Sequence, residues 1–214
     1  MVINGVNILE DIVKEQTEDT EQPKGKNELW EWIKALLVAL IVVLVIRSFI
    51  FTPTIVSGPS MLPNFENGER LIVNKFIYYF KEPERGEVIV FHAPEAKDYI
   101  KRVIALPGDT IKVIGDDVYV NGDLIDEPYL TEAIEAANRS GRSYNRYNFK
   151  ITAEGIEAAT VPEDALFVMG DNRSHSKDSR DDSVGFVPID EGVGRVDVVF
   201  WPLTNFHIVQ HNKE

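Results

Sequence analysis

The sequence predicts a mainly β protein that carries a single transmembrane helix near its N-terminus. One apolar stretch, residues 33–51, is long enough to cross a bilayer. From residue 52 onward, short runs rich in β-branched and aromatic residues alternate with turn sequences, which is typical of antiparallel strands. A chain of 214 residues is long enough for one compact domain with a subdomain. We therefore expect an antiparallel β-sheet domain into which a smaller subdomain of strands and loops is inserted.

The composition disfavours several kinds of site and partner. The chain has no cysteine, so it can form neither a disulfide framework nor a thiolate metal site. Its 35 acidic and 22 basic residues give a formal charge of −13, and an acidic surface repels a nucleic-acid backbone. The four histidines follow no metal-binding spacing. We therefore expect no metal, no cofactor and no nucleic acid; the histidines are His92, His175, His207 and His211.

The N-terminal region divides into a charged tail, residues 1–32, and the apolar segment, residues 33–51. Only Lys34, Arg47 and Ser48 interrupt the apolar segment, and two tryptophans lie just before it, where they suit a membrane interface. At about 1.5 Å per residue, a helix of about 19 residues spans roughly 28 Å, close to the thickness of a bilayer core. The segment is therefore predicted to be a membrane anchor.

Two other interpretations of this segment depend on its uninterrupted core, residues 35–46. Twelve residues also fit the apolar region of a cleavable signal or a helix buried in a protein core. No small-x-small cleavage site follows, which favours a retained anchor. Arg47 follows the core, but four lysines precede it, and this excess of positive charge before the core favours a cytoplasmic N-terminus. The predicted location is the cell membrane, with one span and the β domain outside the cytoplasm.

Beyond the anchor, we divide the predicted strands between a β core, made of two separate chain segments, and a region inserted between those segments. We assign residues 52–109 and 163–214 to a β core and residues 110–162 to an inserted cap. Within the cap, residues 131–160 are polar and rich in alanine, and are more typical of a surface excursion than of part of a site. The predicted strands are 71–73, 87–91, 99–106, 110–114, 118–120, 165–169 and 196–201.

One serine and one lysine in these elements predict a nucleophile and its base. Ser60 lies in a glycine-proline turn, and Lys101 lies in a strand of mostly apolar residues. Burial disfavours a charged ammonium, so a buried lysine can be neutral and take the proton of a serine hydroxyl. Side chains alternate along a strand, so Lys101 shares a face with Tyr99, while Arg102 points to the other face. The alternative is a lysine that faces solvent on a sheet edge.

Residues 170–180 form the densest polar stretch of the chain and directly follow a predicted strand. Such a composition usually marks a solvated loop. Because a buried strand leads into this loop, its acids, bases and hydroxyls are well placed to supply ion pairs and hydrogen bonds around a buried site. Arg102 needs a carboxylate or solvent on its own face of the strand, and the loop offers candidate carboxylates.

Three motifs, in this order, resemble those of bacterial type I signal peptidases, also called leader peptidases. The motifs are Ser60-Met61-x-Pro63, a lysine-arginine strand that ends in proline-glycine-aspartate at 107–109, and Gly-Asp-Asn-Arg-x-x-Ser-x-Asp-Ser-Arg at 170–180. The resemblance extends over roughly residues 30–203. Its single anchor makes the chain similar to the form found in Gram-positive bacteria.

The resemblance implies a membrane-bound serine endopeptidase that removes signal peptides from exported preproteins after small-x-small sequences. Ser60 would be the nucleophile and Lys101 the general base, at the lipid bilayer and near the protein-export translocon. The backbone N–H of Ser60 would hold the oxyanion, and Gly58 lacks the hydroxyl that some members carry there as a second donor. Further supporting residues would be Ser176, which orients the lysine, and two ion pairs, Asp171 with Arg102 and Asp178 with Arg180.

A substrate peptide in extended form fits along residues 54–56 and 98–100, where main-chain hydrogen bonds would let only alternate side chains enter pockets. Apolar, shallow pocket walls suit side chains of alanine size, in agreement with the small-x-small preference of the family. The candidate wall residues are Val56, Met61, Tyr99 and Ile100. The alternative for each of them is a structural place in the core.

Three other functions compete with this one. A self-cleaving repressor uses the same dyad but needs a DNA-binding module, and the N-terminal region has no helix-turn-helix pattern. A noncatalytic, membrane-tethered β protein does not explain a lysine in an apolar strand, and the histidine spacing disfavours a metal hydrolase. A further open point is the aromatic run 76–80, which fits either a buried hairpin or a surface that holds the site at the membrane.

Overall fold

The computed structural model describes residues 24–145, 149, 151–152 and 155–211. The predicted N-terminal tail lies outside the described residues up to position 23. The pattern of residue contacts divides the chain into two compact units, 1–45 and 46–214.

The first unit contains helix α1, Lys24–Val45, and a π-helical turn, Ile46–Ile50, follows it in the chain. The side chains from Glu28 to Val45 are exposed, although most of them are apolar. A helix that is apolar on all sides is stable in a membrane or in a protein core rather than in water. Among the described residues, Glu28–Ile50 form the one helix that is long and apolar enough to cross a bilayer. This finding supports the predicted anchor.

The second unit is built from short strands, and its paired strands run antiparallel. This confirms the prediction of a mainly β fold. The strands are β1 (Phe51–Ile55), β2 (Arg70–Asn74), β3 (Val88–Ala93), β4 (Lys97–Ala105), β5 (Thr110–Ile114), β6 (Asp117–Val120), β7 (Asp123–Leu124), β8 (Ile151–Thr152), β9 (Gly155–Ile156), β10 (Ala159–Thr160), β11 (Ala165–Met169), β12 (Val187–Pro188), β13 (Gly192–Trp201) and β14 (His207–Ile208).

The main sheet has eight strands in the order β1-β2-β13-β3-β4-β11-β12, and β14 pairs with β13. The two basic residues singled out in the sequence lie on β4, where Lys101 pairs with Ile89 of β3 and Arg102 pairs with Met169 of β11. The residues opposite them on the two neighbouring strands, Ile89 and Met169, are fully buried. The strand delivers both basic residues into the interior of the unit.

The inserted region forms its own small sheet, in the order β10-β5-β6-β7, and β8 pairs with β9. Both sheets lie between residues 110 and 160, within the range assigned to the cap, whose exact boundaries stay a prediction. The region also contains helix α2, Thr131–Arg139, which the sequence analysis did not predict. Alanine and glutamate are good helix formers, and the half-buried residues Ala133, Ile134 and Ala137 recur at helical spacing, so the helical signal was present. The sequence analysis missed it because the segment is only nine residues long and lies in a polar stretch.

The aromatic run forms a 3₁₀ helix, Phe76–Tyr79, next to β2. The side chains of Phe76, Tyr79 and Phe80 are exposed. The interpretation of this run as a buried hairpin is therefore wrong.

Candidate active site

Ser60 and Lys101 lie in direct contact, although they are 41 positions apart in the chain. Lys101 Nζ donates hydrogen bonds to Ser60 Oγ over 3.0 Å and to the carbonyl oxygen of Ile100 over 2.9 Å. The lysine is 3% exposed, because β4 carries it into the interior of the sheet. Ser60 follows a turn in which Gly58 has φ +89°, a conformation that favours glycine. The turn and the strand together bring the two side chains into contact.

Burial changes the protonation of Lys101. Loss of solvent around the ammonium lowers the pKa of Lys101 from 10.5 to about 8, although the carboxylates of Asp178 and Asp171 oppose this change. The amine also lies 5.0 Å from the centre of the Tyr99 ring. At pH 7 a lysine with this pKa is neutral in about one molecule in ten, against roughly one in 3,000 for a lysine with the ordinary value of 10.5. The pair therefore has a hydroxyl nucleophile and a base that is available near neutral pH.

Arg102, the next residue on β4, forms a bidentate ion pair with Asp171. Its Nε and Nη2 atoms donate to Asp171 Oδ1 and Oδ2 over 2.9 and 2.7 Å, and its Nη1 donates to the carbonyl oxygen of Gly86 over 2.9 Å. Both side chains are almost fully buried. Two parallel charge-assisted hydrogen bonds are the geometry in which a buried guanidinium is well satisfied. The ion pair joins β4 to the 170–180 loop.

Asp178 and Arg180 form a second bidentate pair within the same loop. Arg180 Nε and Nη2 donate to the two carboxylate oxygens of Asp178 over 2.8 Å each. Asp178 Oδ2 also accepts the backbone N–H of Gly170 over 2.9 Å. Burial alone raises the pKa of Asp178, but the guanidinium and these hydrogen bonds outweigh it and lower that pKa below its ordinary value. Asp178 is thus a fixed negative charge near Lys101.

A scan against protein-family models matches residues 29–201 to the family described as "Signal peptidase, peptidase S26". The chain belongs to the signal peptidase family. It is 42% identical over 184 residues to signal peptidase I P of Bacillus subtilis subsp. natto, covering 86% of this chain and 95% of that protein. Signal peptidase IB of Staphylococcus aureus is 38% identical over 190 residues, covering 87% and 95%. As a member of this family the protein is an enzyme, a serine protease that acts on signal peptides.

Among solved structures, a crystal structure of a signal peptidase I from Enterococcus faecalis matches with 37% identity and a TM-score of 0.46. The match covers 54% of this chain and 97% of the other.

Ser176 lies in the loop of this signal peptidase at a point of very close packing. A Cβ atom on Gly170 would come within 2.1 Å of Ser176 Oγ and within 2.5 Å of the carbonyl oxygen of Ser60, so the backbone here requires glycine. Among the described residues, Ser176 Oγ is buried and forms no hydrogen bond to Lys101. Its role in orienting the lysine stays a prediction.

The backbone N–H of Ser60 is a candidate donor to the substrate. Among the described hydrogen bonds, the N–H of Ser60 donates to no protein acceptor, whereas the N–H of Gly58 donates to Asn67 Oδ1 over 2.9 Å. The space beside Gly58 is open, with no atom within 4 Å of a Cβ built there. The Ser60 N–H is therefore free to bind an oxyanion, and the Gly58 N–H is occupied.

Sequence reasoning missed Asn172, which holds the backbone of the serine turn. Its N–H donates to the carbonyl oxygen of Ser60 and its side-chain amide donates to that of Pro59, each over 3.0 Å. The signal was present, because Asn172 is part of the Gly-Asp-Asn-Arg motif, but no local pattern shows which residues an asparagine binds. Asn172 fixes the position of the nucleophile relative to the loop.

All four candidate substrate residues line the cleft that contains Ser60 and Lys101. The cleft has a volume of about 320 Å³ and runs between residues 54–61 and residues 98–101, with His175 and Lys177 at its side. Val56, Met61 and Ile100 are buried and also belong to the core of the main sheet, and Tyr99 is half-buried. Their structural role and their place in the cleft wall coexist, and substrate contact stays a prediction.

Proposed function

We propose that this signal peptidase is a membrane-bound endopeptidase that releases exported preproteins from their signal peptides, with Ser60 as nucleophile and Lys101 as general base. The observation that carries the proposal is the 3.0 Å contact between Lys101 Nζ and Ser60 Oγ. No described carboxylate forms a salt bridge with Lys101, so burial is free to lower its pKa. A base with a pKa of about 8 in contact with a serine hydroxyl is what nucleophilic catalysis needs.

In the first half-reaction, the neutral amine of Lys101 takes the proton of Ser60 as Oγ attacks the carbonyl carbon before the scissile bond. The carbonyl oxygen becomes an oxyanion, which the N–H of Ser60 stabilises. The tetrahedral intermediate then collapses, the C–N bond breaks, and the Lys101 ammonium gives its proton to the leaving amine. The mature protein departs with a new N-terminus, and the signal peptide remains as an ester on Ser60.

In the second half-reaction, Lys101 again acts as base and takes a proton from a water molecule, which attacks the ester carbon. Collapse of this second intermediate breaks the C–O bond and returns the proton from Lys101 to Ser60 Oγ. The signal peptide leaves as a free acid. Asp171, Arg102, Asp178 and Arg180 hold the loop and the strand in place and do not exchange protons with the substrate.

The free strand edges that border the cleft support the proposed preference for small-x-small sequences. β1 ends the main sheet and pairs only with β2 among the described strands, and β4 pairs with β11 only from Arg102 onward. An extended substrate can add between these two edges through main-chain hydrogen bonds. Every second side chain then points at buried residues such as Val56, Met61 and Ile100, which leave room for alanine-sized groups.

The location of the enzyme is the cell membrane, with α1 as its single anchor, a cytoplasmic N-terminus and an extracytoplasmic catalytic unit near the protein-export translocon. The apolar helix supports the anchor. The lysines that precede it, Lys14, Lys24, Lys26 and Lys34, support the orientation, since positive charge is retained on the cytoplasmic side.

The test is cleavage of a signal-peptide-bearing preprotein by the detergent-solubilised full chain, with the cut site read by mass spectrometry. The Ser60→Ala and Lys101→Ala variants are assayed in parallel with the wild type. We expect a single cut after a small-x-small sequence by the wild type and no cut by either variant. A folded wild type that does not cut would favour the membrane-tethered binding protein, and an active Lys101→Ala protein would refute the general-base role.

A further inference from the structure

The segment Glu127–Tyr129 lies in the inserted region but contacts the active site. It follows β7 in the chain and overlaps a 3₁₀ turn, Pro128–Leu130, which precedes α2. The sequence analysis treated the neighbouring residues of the insertion as a surface excursion. In the structure, the side chain of Glu127 is only 7% exposed, and its partner is a residue of the 170–180 loop.

That partner is Arg173, which is 1% exposed. Arg173 Nη1 donates to Glu127 Oε2 over 2.8 Å, and its Nη2 pairs with Glu127 Oε1. Its Nε donates to the carbonyl oxygen of Gly170 over 3.2 Å. Burial lowers the pKa of Arg173, but Glu127 outweighs that effect and raises it above its ordinary value. The carboxylate of Glu127 therefore compensates a guanidinium that has no access to solvent.

Gly170 and Arg173 are the ends of a turn, and Asn172, within that turn, binds the backbone of the nucleophile segment. Asn172 donates its N–H to Ser60 O and its side-chain amide to Pro59 O. The N–H of Arg173 bonds back to the carbonyl oxygen of Asp171 over 3.0 Å. Glu127 thus forms an ion pair with Arg173, and Arg173 bonds to the backbone of the turn at Gly170. The turn fixes the backbone of Ser60 through Asn172.

Tyr129, two residues further on, contacts the other two parts of the site. Its ring centre lies 3.9 Å from Cζ of Arg102. Its carbonyl oxygen accepts a hydrogen bond from Asn64 Nδ2 over 3.3 Å, and the same amide donates to Asp171 Oδ2 over 2.8 Å. The segment therefore contacts the serine turn, the lysine strand and the loop.

This buried cluster pairs two cations with two anions. Arg102 and Arg173 are the cations, and Asp171 and Glu127 are the anions. Removing one partner of a buried pair leaves an uncompensated charge that forces its surroundings to rearrange. Without Glu127, Asp171 remains as a carboxylate whose charge acts on both guanidinium groups.

We infer that Glu127 is a positioning residue for Ser60, acting through Arg173 and the 170–173 turn. The inference rests on the proposed role of Ser60 as nucleophile. Glu127 touches neither substrate nor Lys101, so its contribution is to hold Ser60 Oγ in line with the scissile carbonyl. A displacement of about 1 Å at a nucleophile costs on the order of 100-fold in rate.

The test compares Glu127→Gln, which keeps shape and removes charge, with Glu132→Gln, an exposed glutamate in the same insertion. Cleavage of a preprotein is measured across pH with the full chain in detergent, together with thermal melts and with wild type and Ser60→Ala as references. For Glu127→Gln we expect kcat to fall by about tenfold or more, with KM within about twofold and the apparent pKa of the rate profile unchanged. Glu132→Gln should match the wild type.

A purely structural role would give a different profile. Loosening of the site would hydrate Lys101 and move the apparent pKa up from about 8 towards 10.5, so a lower rate with a raised pKa overturns the inference. A Glu127→Gln protein as active as the wild type also overturns it. If the wild type does not cut, or Ser60→Ala does, the proposed function itself has failed.

Two further variants keep the test decisive. In a double-mutant cycle with Asn172→Ala, we expect the combined loss in kcat to be smaller than the product of the single losses, because both act on one turn. Losses in kcat that multiply fully would contradict the inference that Glu127 and Asn172 act on Ser60 through the same turn. Should Glu127→Gln not fold, Glu127→Asp, which keeps the charge on a shorter side chain, should still lower kcat, and an unchanged kcat would refute the inference.

Discussion

Lys101 and Arg102 are neighbours on one strand, both basic and almost equally buried, at 3% and 2% exposure, yet they are used in opposite ways. Arg102 meets the carboxylate of Asp171 through two hydrogen bonds, and its pKa is raised although burial acts to lower it. Among the described hydrogen bonds, Lys101 donates to a hydroxyl and a carbonyl oxygen and to no carboxylate, and its pKa is lowered to about 8.

The difference lies in the partner, not in the depth of burial. A cation in the interior is stable only if an anion compensates the lost hydration. Arg102 has that anion within hydrogen-bonding distance, whereas the nearest carboxylates act on Lys101 only from further away. One position therefore stabilises the fold, and the adjacent one keeps an amine that readily gives up its proton.

The largest effect that this comparison predicts is on the dyad. Ser60→Ala and Lys101→Met each remove a reacting group and little packing, so we expect cleavage to fall by about 1,000-fold or more with the fold retained. Preprotein cleavage and circular dichroism measure the two quantities. A matched control is Asp123→Asn, an exposed acid of the insertion, which should leave both unchanged.

The second largest expected effect concerns the ion pair of Arg102 and Asp171. Asp171→Asn removes the compensating charge and leaves Arg102 buried without it, so the free energy of unfolding should fall by about 3 to 5 kcal/mol. Cleavage should fall as well, because the loop that holds Ser60 loses its anchor on β4. Urea denaturation measures the stability, and a loss below about 1 kcal/mol would mean that the pair behaves like an exposed one.

Stability should change in the opposite direction at the neighbouring position. Because the folded pKa of Lys101 lies below its unfolded value, the protonated lysine destabilises the fold at pH values below about 8. Lys101→Met should therefore raise the free energy of unfolding at pH 7 by up to about 3 kcal/mol. The gain should shrink as pH rises from 8 to 10.5, and urea denaturation at several pH values measures it. A destabilised Lys101→Met protein would contradict the comparison.

Much of this arrangement follows from local sequence rules. Alternation along β4 predicts that Lys101 and Arg102 point to opposite faces, and the structure places Ser60 on one side and Asp171 on the other. The strands 110–114 and 165–169 were predicted with the bounds that the structure has. The first prediction depends on the alternation of side chains along a strand, and the second on short runs of β-branched, aromatic and other apolar residues between turn sequences. Neither needs information from distant parts of the chain.

The parts that sequence reasoning missed are long-range contacts, backbone conformations and one short helix. Glu127 and Arg173 pair across 46 positions, and nothing near either residue names its partner. The left-handed turn at Gly58 cannot be told from an ordinary flexible glycine until φ is known. Helix α2 has a clear apolar face, but it is only nine residues long and lies in a polar stretch that sequence reasoning interpreted as a surface excursion.

The most direct test of the difference between the two basic residues is the pH dependence of kcat/KM for preprotein cleavage, measured from pH 6 to 10.5 with the full chain in detergent. The neutral amine is the active form, so the rate should rise about tenfold per pH unit at low pH and level off near pH 8. A rise that continues to about pH 10.5, the value of an ordinary lysine, would contradict the claim that an uncompensated, buried Lys101 is the base.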